Sequence, residues 1–147
     1  MRLKLNLSPV VFMHSISVII PTFNEADNLK ELLPLLNWAN EIIVIDSFST
    51  DDTLRIVQAY DVHFVQHKYE GPAAQKNRAI AIAKNDWIFI LDADERPSAG
   101  LIKEIQSLLI LSNIPFEAYW IYRTNYFMGN KIKYSGWQND KVIRFIH

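Results

Sequence analysis

The chain has no cysteine, no surplus of basic residues and no long apolar run, and each absence removes a class of function. Without cysteine there is no disulfide framework and no thiolate metal site, and a reducing cytosol is allowed. Lysine and arginine together number 15 against 16 acidic residues, a formal net charge of -1. No basic excess remains to neutralise phosphates, so no nucleic-acid partner is expected. No apolar run reaches the roughly 20 residues that cross a bilayer. The fingerprints of P-loop enzymes, of the usual dinucleotide folds and of α/β-hydrolases are all missing. His14, His63, His67 and His147 lack a metal-ligand spacing.

What remains is a globular composition, half of it hydrophobic, at a length of 147 residues that suits one domain. "MRLKLNLSPVVFMHS" opens with two basic residues and a short apolar piece, but Pro9 interrupts it and no A-x-A-like cleavage site follows. Residues 1–15 are therefore expected to be an extension, with Met13 as the natural start and residues 1–12 dispensable.

From there strands and helices alternate. "SISVIIPTF" (15–23) reads as a buried strand, and Leu29, Leu32, Leu33 and Leu36 follow at helical spacing until Pro34 kinks or ends the helix. A second strand, 41–45, ends at Asp46. Thr50 is then expected to cap a helix with Asp51 and Asp52 in its first turn. A third strand is expected over 61–67, a helix from Pro72, a fourth strand in "DWIFILDADE" and a helix capped by Ser98. "FEAYWIYRTNYF", a Gly-Asn turn in "MGNK", "IKYSGW" and "KVIRFIH" read as extended segments. The alternation predicts an α/β fold built on a mostly parallel sheet flanked by helices, without internal repeat or linker.

In such sheets ligands bind outside the carboxyl ends of the strands. The polar clusters fall there: Pro21–Glu25 after the first strand, Asp46–Asp52 after the second, Asp92–Glu95 after the fourth. Asp92 and Asp94, one residue apart, share a side if the segment is extended, and two adjacent carboxylates repel unless a hard divalent cation joins them. A D-x-D pair is thus expected to hold Mg2+ or Mn2+ on a diphosphate; the competing expectation is a solvated acidic turn. Asp46 could meet a nucleobase or ribose, or simply cap its turn. Lys76, Asn77 and Arg78 could face the same rim, or be ordinary exposed charges on an amphipathic helix.

"SVIIPTFNEADNL", "EIIVIDSFSTDDT", "GPAAQKNRAI" and "WIFILDADERP", in that order, resemble the inverting glycosyltransferases of family 2 with a GT-A fold. "DSFSTDDT", "LDADERP" and "GWQNDKVIRF" are most similar to the bacterial subgroup of lipopolysaccharide-core β-glucosyltransferase-like proteins. The resemblance covers residues 16–147 and implies the roles that follow. Pro21, Thr22, Asn24 and Glu25 line a nucleotide pocket. Asp46 touches uracil or ribose. Lys76, Asn77 and Arg78 lie beside the nucleotide. Asp94 sits nearer the metal, Asp92 nearer the ribose and phosphate. The donor is a nucleotide sugar, UDP-linked, and the acceptor a saccharide or lipid-linked saccharide at the inner face of the cytoplasmic membrane. Asp140 is nominated as the base that deprotonates the acceptor, with Glu95 in reserve; Trp137 and Tyr134 could stack on a sugar. Family members run on beyond this chain's last residue, which implies a C-terminally short domain, and a strand-like end "VIRFIH" would leave an apolar edge open to a homodimer. Two other functions compete. One is a truncated domain that binds nucleotide without catalysis. The other is a sugar nucleotidyltransferase, disfavoured because "PTFNEADN" lacks a Gly-rich basic loop.

Overall fold

The computed structural model describes residues 14–132 and 139–147; Tyr134, Trp137 and the segment up to Met13 lie outside them. The elements follow in chain order. β1 (Ile16–Thr22) leads through α1 (Ala26–Leu32) and a 3-10 turn (Leu33–Leu36) to β2 (Glu41–Asp46). α2 (Thr53–Val57) and β3 (His63–Gln66) come next, then α3 (Pro72–Ile82), β4 (Trp87–Ile90) and α4 (Ala99–Leu109). β5 (Ala118–Tyr122), the pair β6 (Tyr126–Phe127) and β7 (Asn130–Lys131), and β8 (Lys141–Ile146) complete the described chain.

Six strands form one sheet in the order β3-β2-β1-β4-β8-β5. β1 pairs in parallel with β2 and β4, and β2 with β3, while β8 runs antiparallel to both β4 and β5. Side chains alternate across β1. Ile16, Val18 and Ile20 join Leu29, Leu32, Leu36, Phe89, Ile105, Leu109 and Phe145 on the face covered by α1 and α4. Ile19 joins Ile43, Ile45, Ile88, Ile90 and Ala79 of α3 on the other. With helices on both faces, the parallel strands must be apolar throughout, which is why they read as unbroken hydrophobic runs rather than as alternating ones. Phe89 and Phe145 are fully buried, each contributing about 1.5–3 kcal/mol of transfer free energy.

The expected elements form, with informative differences. Pro34 does end α1, which tightens into the 3-10 turn at that point. Ser98 caps α4, its hydroxyl accepting from Leu101 N at 3.1 Å. The helix expected from Thr50 starts only at Thr53, because the Thr50 amide donates instead to Asn24 Oδ1, at 2.8 Å. Asp51 serves as the capping side chain: one oxygen accepts from Thr53 N at 3.0 Å, the other from Ala26 N, the first residue of α1, at 3.1 Å. The hairpin turns at Met128 and Gly129, both at positive φ, rather than at Gly-Asn. The last strand is not an open edge. β8 lies inside the sheet between β4 and β5, with Phe145 buried, and β5 takes the edge position.

Candidate active site

Because β1, β2 and β4 are parallel neighbours, their carboxyl ends share one rim, and the loops that follow them meet. The loops after β1 and β2 are laced together by side chain–backbone and backbone–backbone bonds. Asn24 N donates to Ser49 Oγ at 2.7 Å, Glu25 N to Thr53 Oγ1 at 3.1 Å, and Ser47 N to Thr22 O at 2.9 Å. Asp46 is fully buried beneath this lacing. Its carboxylate accepts from Ser49 N at 2.9 Å, from Gln66 Nε2 at 3.0 Å and from Ser49 Oγ. It is therefore an anchor for the 47–50 loop. Two residues of the rim adopt left-handed backbone: Asn24 at φ 54 and Phe48 at φ 61. Asparagine tolerates this; a phenylalanine there costs on the order of 1–2 kcal/mol, held by the surrounding bonds.

After β4 the chain does not stay extended. Glu95 N donates to Asp92 O at 2.9 Å, closing a tight turn, so Asp92 and Asp94 do not share a side as an extended segment would have it. Asp92 is half-buried and faces two cations. Lys76 Nζ of α3 lies 2.9 Å from its Oδ1, and Arg144 of β8 binds its Oδ2. Glu95 closes the ring: its Oε2 accepts from Asp92 N at 2.9 Å and its Oε1 from Arg144 Nη2 at 3.1 Å. Burial alone would raise the Asp92 carboxyl, but Arg144 and Lys76 outweigh it and hold it below the usual carboxylate range.

Arg144 reaches this place through a β-bulge. Along β5 the partners step from Phe145, opposite Tyr119, to Ile143, opposite Trp120, so Arg144 is the extra residue of β8. A bulge re-aims a side chain, and here it delivers an almost fully buried guanidinium to the end of the neighbouring strand. Further out, Arg123 forks onto Asp140, Nε to Oδ2 at 3.0 Å and Nη2 to Oδ1 at 3.1 Å, and Asn125 Nδ2 adds a bond at 2.9 Å. These bonds from Arg123 and then Asn125 hold the Asp140 carboxyl below its usual range. Arg123 Nη1 also approaches Glu95 Oε1 at 3.4 Å, so Asp140, Arg123, Glu95, Arg144, Asp92 and Lys76 form one alternating chain of charge.

Two clefts meet at Asp92. One, of about 660 Å³, runs over the tips of β1 and β2 and is lined by Pro21, Thr22, Phe23, Glu25, Ser47, Phe48, Lys68, Tyr69, Pro72, Gln75 and Lys76. The other, of about 1000 Å³, lies between the 92–98 segment and β5, with Asp94, Glu95, Arg123, Asn125, Trp120 and Tyr122 in its walls. Of the sequence-derived candidates, Pro21, Thr22, Glu25, Lys76 and Asp92 line the first cleft and Asp92, Asp94 and Glu95 the second. Asn24 and Asp46 instead hold the rim loops. Asn77 and Arg78 line neither cleft, since they lie round the helix from Lys76; Arg78 pairs with Glu70 at 2.9 Å. Gln75, not among the candidates, bonds Ile45 O at 2.9 Å and Ser47 Oγ at 2.8 Å. Arg123 and Arg144 were not singled out either. The one signal for Arg144 was a charge set in the apolar run of "KVIRFI".

Among the described residues no three carboxylate or imidazole groups gather as a metal cage. The donor set nevertheless fits a cation that brings its own ligands. Asp94 is exposed and has no hydrogen-bond or ion-pair partner among the described residues, whereas Asp92 is taken up by Lys76 and Arg144. Mg2+ commonly uses only one or two protein carboxylates, the rest being phosphate oxygens and water. Asp94 fits that role, and Asp92 does not in this arrangement.

The profile of the family described as Glycosyl transferase family 2 matches residues 17–142. An uncharacterized glycosyltransferase of Rickettsia bellii is 39% identical over 99 residues, 67% of this chain and 34% of that protein. The lipopolysaccharide core biosynthesis glycosyltransferase LpsC of Rhizobium meliloti is 33% identical over 103 residues, 67% of this chain and 38% of that protein. The chain thus spans little more than a third of these relatives. Among solved structures, S. aureus TarS 1-349 in complex with UDP superposes with a TM-score of 0.54 at 28% identity, covering 64% of this chain and 31% of that one. The mannosyltransferase PcManGT of Pyrobaculum calidifontis, in complex with GDP-Man and Mn2+, gives 0.59 at 25% identity, covering 77% and 37%.

Proposed function

The chain belongs to glycosyl transferase family 2, and from that premise we propose that it binds a nucleotide-sugar donor, UDP-linked, and transfers the sugar with inversion. The acceptor in this reading is a saccharide or lipid-linked saccharide of lipopolysaccharide or cell-envelope glycan, met at the inner face of the cytoplasmic membrane. The observation that carries the reading is the placing of Asp94: a carboxylate with no partner among the described residues, on a pinned turn beside the junction of two clefts. The nucleotide occupies the cleft over β1 and β2, and the acceptor enters from the cleft beside β5.

Mg2+ or Mn2+, when bound at Asp94, offsets the charge that develops on the departing diphosphate. The chain's own groups do the rest. Lys76 stands at the shared wall as a second cation for phosphate oxygens. Arg144 and Glu95 fix the turn, so that Asp94 is presented without reorganisation at the moment of transfer. Asp140 accepts the proton of the attacking hydroxyl. Glu95 is kept in reserve: its two oxygens hold the turn that presents Asp94, whereas those of Asp140 are held by Arg123 and Asn125, outside that turn. The lipopolysaccharide assignment is supported by the LpsC relative, and the use of a divalent cation by the GDP-Man and Mn2+ complex of PcManGT.

The test is thermal unfolding with UDP, GDP, CDP and ADP, each with and without Mn2+, on the wild type and on Asp94→Ala. A nucleotide at about a hundred times its Kd stabilises by about 2.7 kcal/mol, roughly 5–10 °C for a chain of this size. The reading expects a UDP shift that needs Mn2+ and vanishes in Asp94→Ala, with the variant's unliganded Tm unchanged. No shift with any nucleotide would refute it.

A further inference from the structure

We propose that Phe48 is a nucleobase-contacting residue, its ring held over the donor cleft by a backbone conformation that the loop enforces. The inference rests on the cleft over β1 and β2 being the donor site. Three observations carry it. First, Phe48 has φ 61, a region that a bulky residue with a Cβ avoids. Second, the ring gains little burial in return: the residue is 55% exposed and lines the cleft. Third, the conformation is over-determined by its neighbours. Ser47 N is bonded to Thr22 O, Ser47 Oγ to Gln75, and Ser49 to Asp46 through both its amide and its hydroxyl. A strained aromatic that stays more than half exposed on a rigidly tied loop gains little from packing in the unliganded protein, and such strain gathers where a ligand is clamped.

The topology says which part of a ligand the ring meets. Asp92 and Asp94 follow β4, whereas Phe48 follows β2, two strands away in the order β2-β1-β4. At a strand spacing of ~4.8 Å this is about 10 Å along the rim. A nucleoside diphosphate anchored by its phosphates near Asp94 and Lys76 therefore extends its nucleoside end toward β2. Stacking on an aromatic face suits any base and is worth most where water is displaced from both surfaces.

The experiment takes the nucleoside diphosphate that wild type binds best among UDP, GDP, CDP and ADP with Mn2+, and measures Kd and unliganded Tm for Phe48→Gly and Phe48→Tyr. Glycine accepts positive φ without steric strain, which offsets its larger loss of chain entropy, so Phe48→Gly should keep or raise Tm while weakening nucleotide binding at least about tenfold, 1.4 kcal/mol. Phe48→Tyr keeps the ring and should bind within about threefold of wild type. Three outcomes overturn the inference alone: a Phe48→Gly affinity within twofold of wild type, a fall in its Tm, or a Phe48→Tyr loss as large as that of glycine. Failure of the wild type to bind any of the four nucleotides would instead overturn the donor-site reading, and this inference with it.

Discussion

Replacing Arg144 by methionine should destabilise the protein through one identifiable network. Arg144 is 6% exposed and bridges Asp92 and Glu95. Methionine fills a similar stem but leaves Asp92 with Lys76 alone and Glu95 with the longer 3.4 Å contact to Arg123. Breaking a fully buried pair costs about 3–5 kcal/mol. The Asp92 side chain is 38% exposed, so water takes over part of the lost interaction and the expected cost falls to about 2–3 kcal/mol. That corresponds to a Tm lower by roughly 4–12 °C at pH 7. The pH dependence identifies the partner. Asp92 has its folded pKa depressed below the ordinary 3.8, so its contribution is present above that value and lost as pH falls through the folded pKa. The gap between wild type and Arg144→Met should be flat from pH 7 to about 5 and narrow below about 4. Arg144→Lys, a point charge unable to bridge both carboxylates, should recover only part of it. Denaturant titrations at pH 7, 5 and 3.5 measure this directly. A wild-type midpoint in Arg144→Met at pH 7, or a gap that widens as pH falls, would refute the account of the network.

Two further perturbations separate structure from chemistry. Asp51→Ala removes acceptors for the first amides of both α1 and α2, so it should cost about 1–2 kcal/mol, at the upper end of single-cap substitutions, seen as a lower urea midpoint at unchanged slope. Arg123→Gln removes the main group that holds the Asp140 carboxyl down. If Asp140 is the base, the acid limb of the pH–rate profile for donor turnover should move to higher pH, toward the ordinary carboxylate range; a limb that stays put would point to a base other than Asp140.

The parallel half of the sheet is legible because burial on both faces writes β1, β2 and β4 as nearly continuous apolar runs and leaves most of their polar residues at the ends. Ser98 was legible as a cap because its partner, Leu101 N, is three residues away. What local pattern did not carry is pairing at a distance. Nothing in "KVIRFI" says that it enters between β4 and β5, and an isolated reading left it as an edge. Thr50 was misplaced as a cap for the same reason: its amide is captured by Asn24, 26 residues earlier. The family resemblance sets Lys76, Asn77 and Arg78 together beside the nucleotide, but a helix turns about 100° per residue and only some of its positions can face the rim.

The same limit bears on the pair that first marks the site. Asp92 and Asp94 look equivalent as a D-x-D pair, and an extended chain would make them so. The turn closed by Glu95 makes them different. Asp92 receives Lys76 from one face of the sheet and Arg144 from a strand contributed 52 residues later, and so its charge is spent within the protein. Asp94, one step round the turn, receives nothing from the described residues. A rim that neutralised both would have no affinity left for a cation, and one that neutralised neither would confront two adjacent carboxylates at a strand end with their mutual repulsion. The bulge that adds Arg144 to β8 resolves the conflict by satisfying one carboxylate and leaving the other without a partner among the described residues, as the proposed cation site requires. If the proposed site is right, Arg144→Met, besides lowering Tm, should weaken the Mn2+-dependent nucleotide shift, because Glu95 released from Arg144 holds the turn that presents Asp94 less firmly.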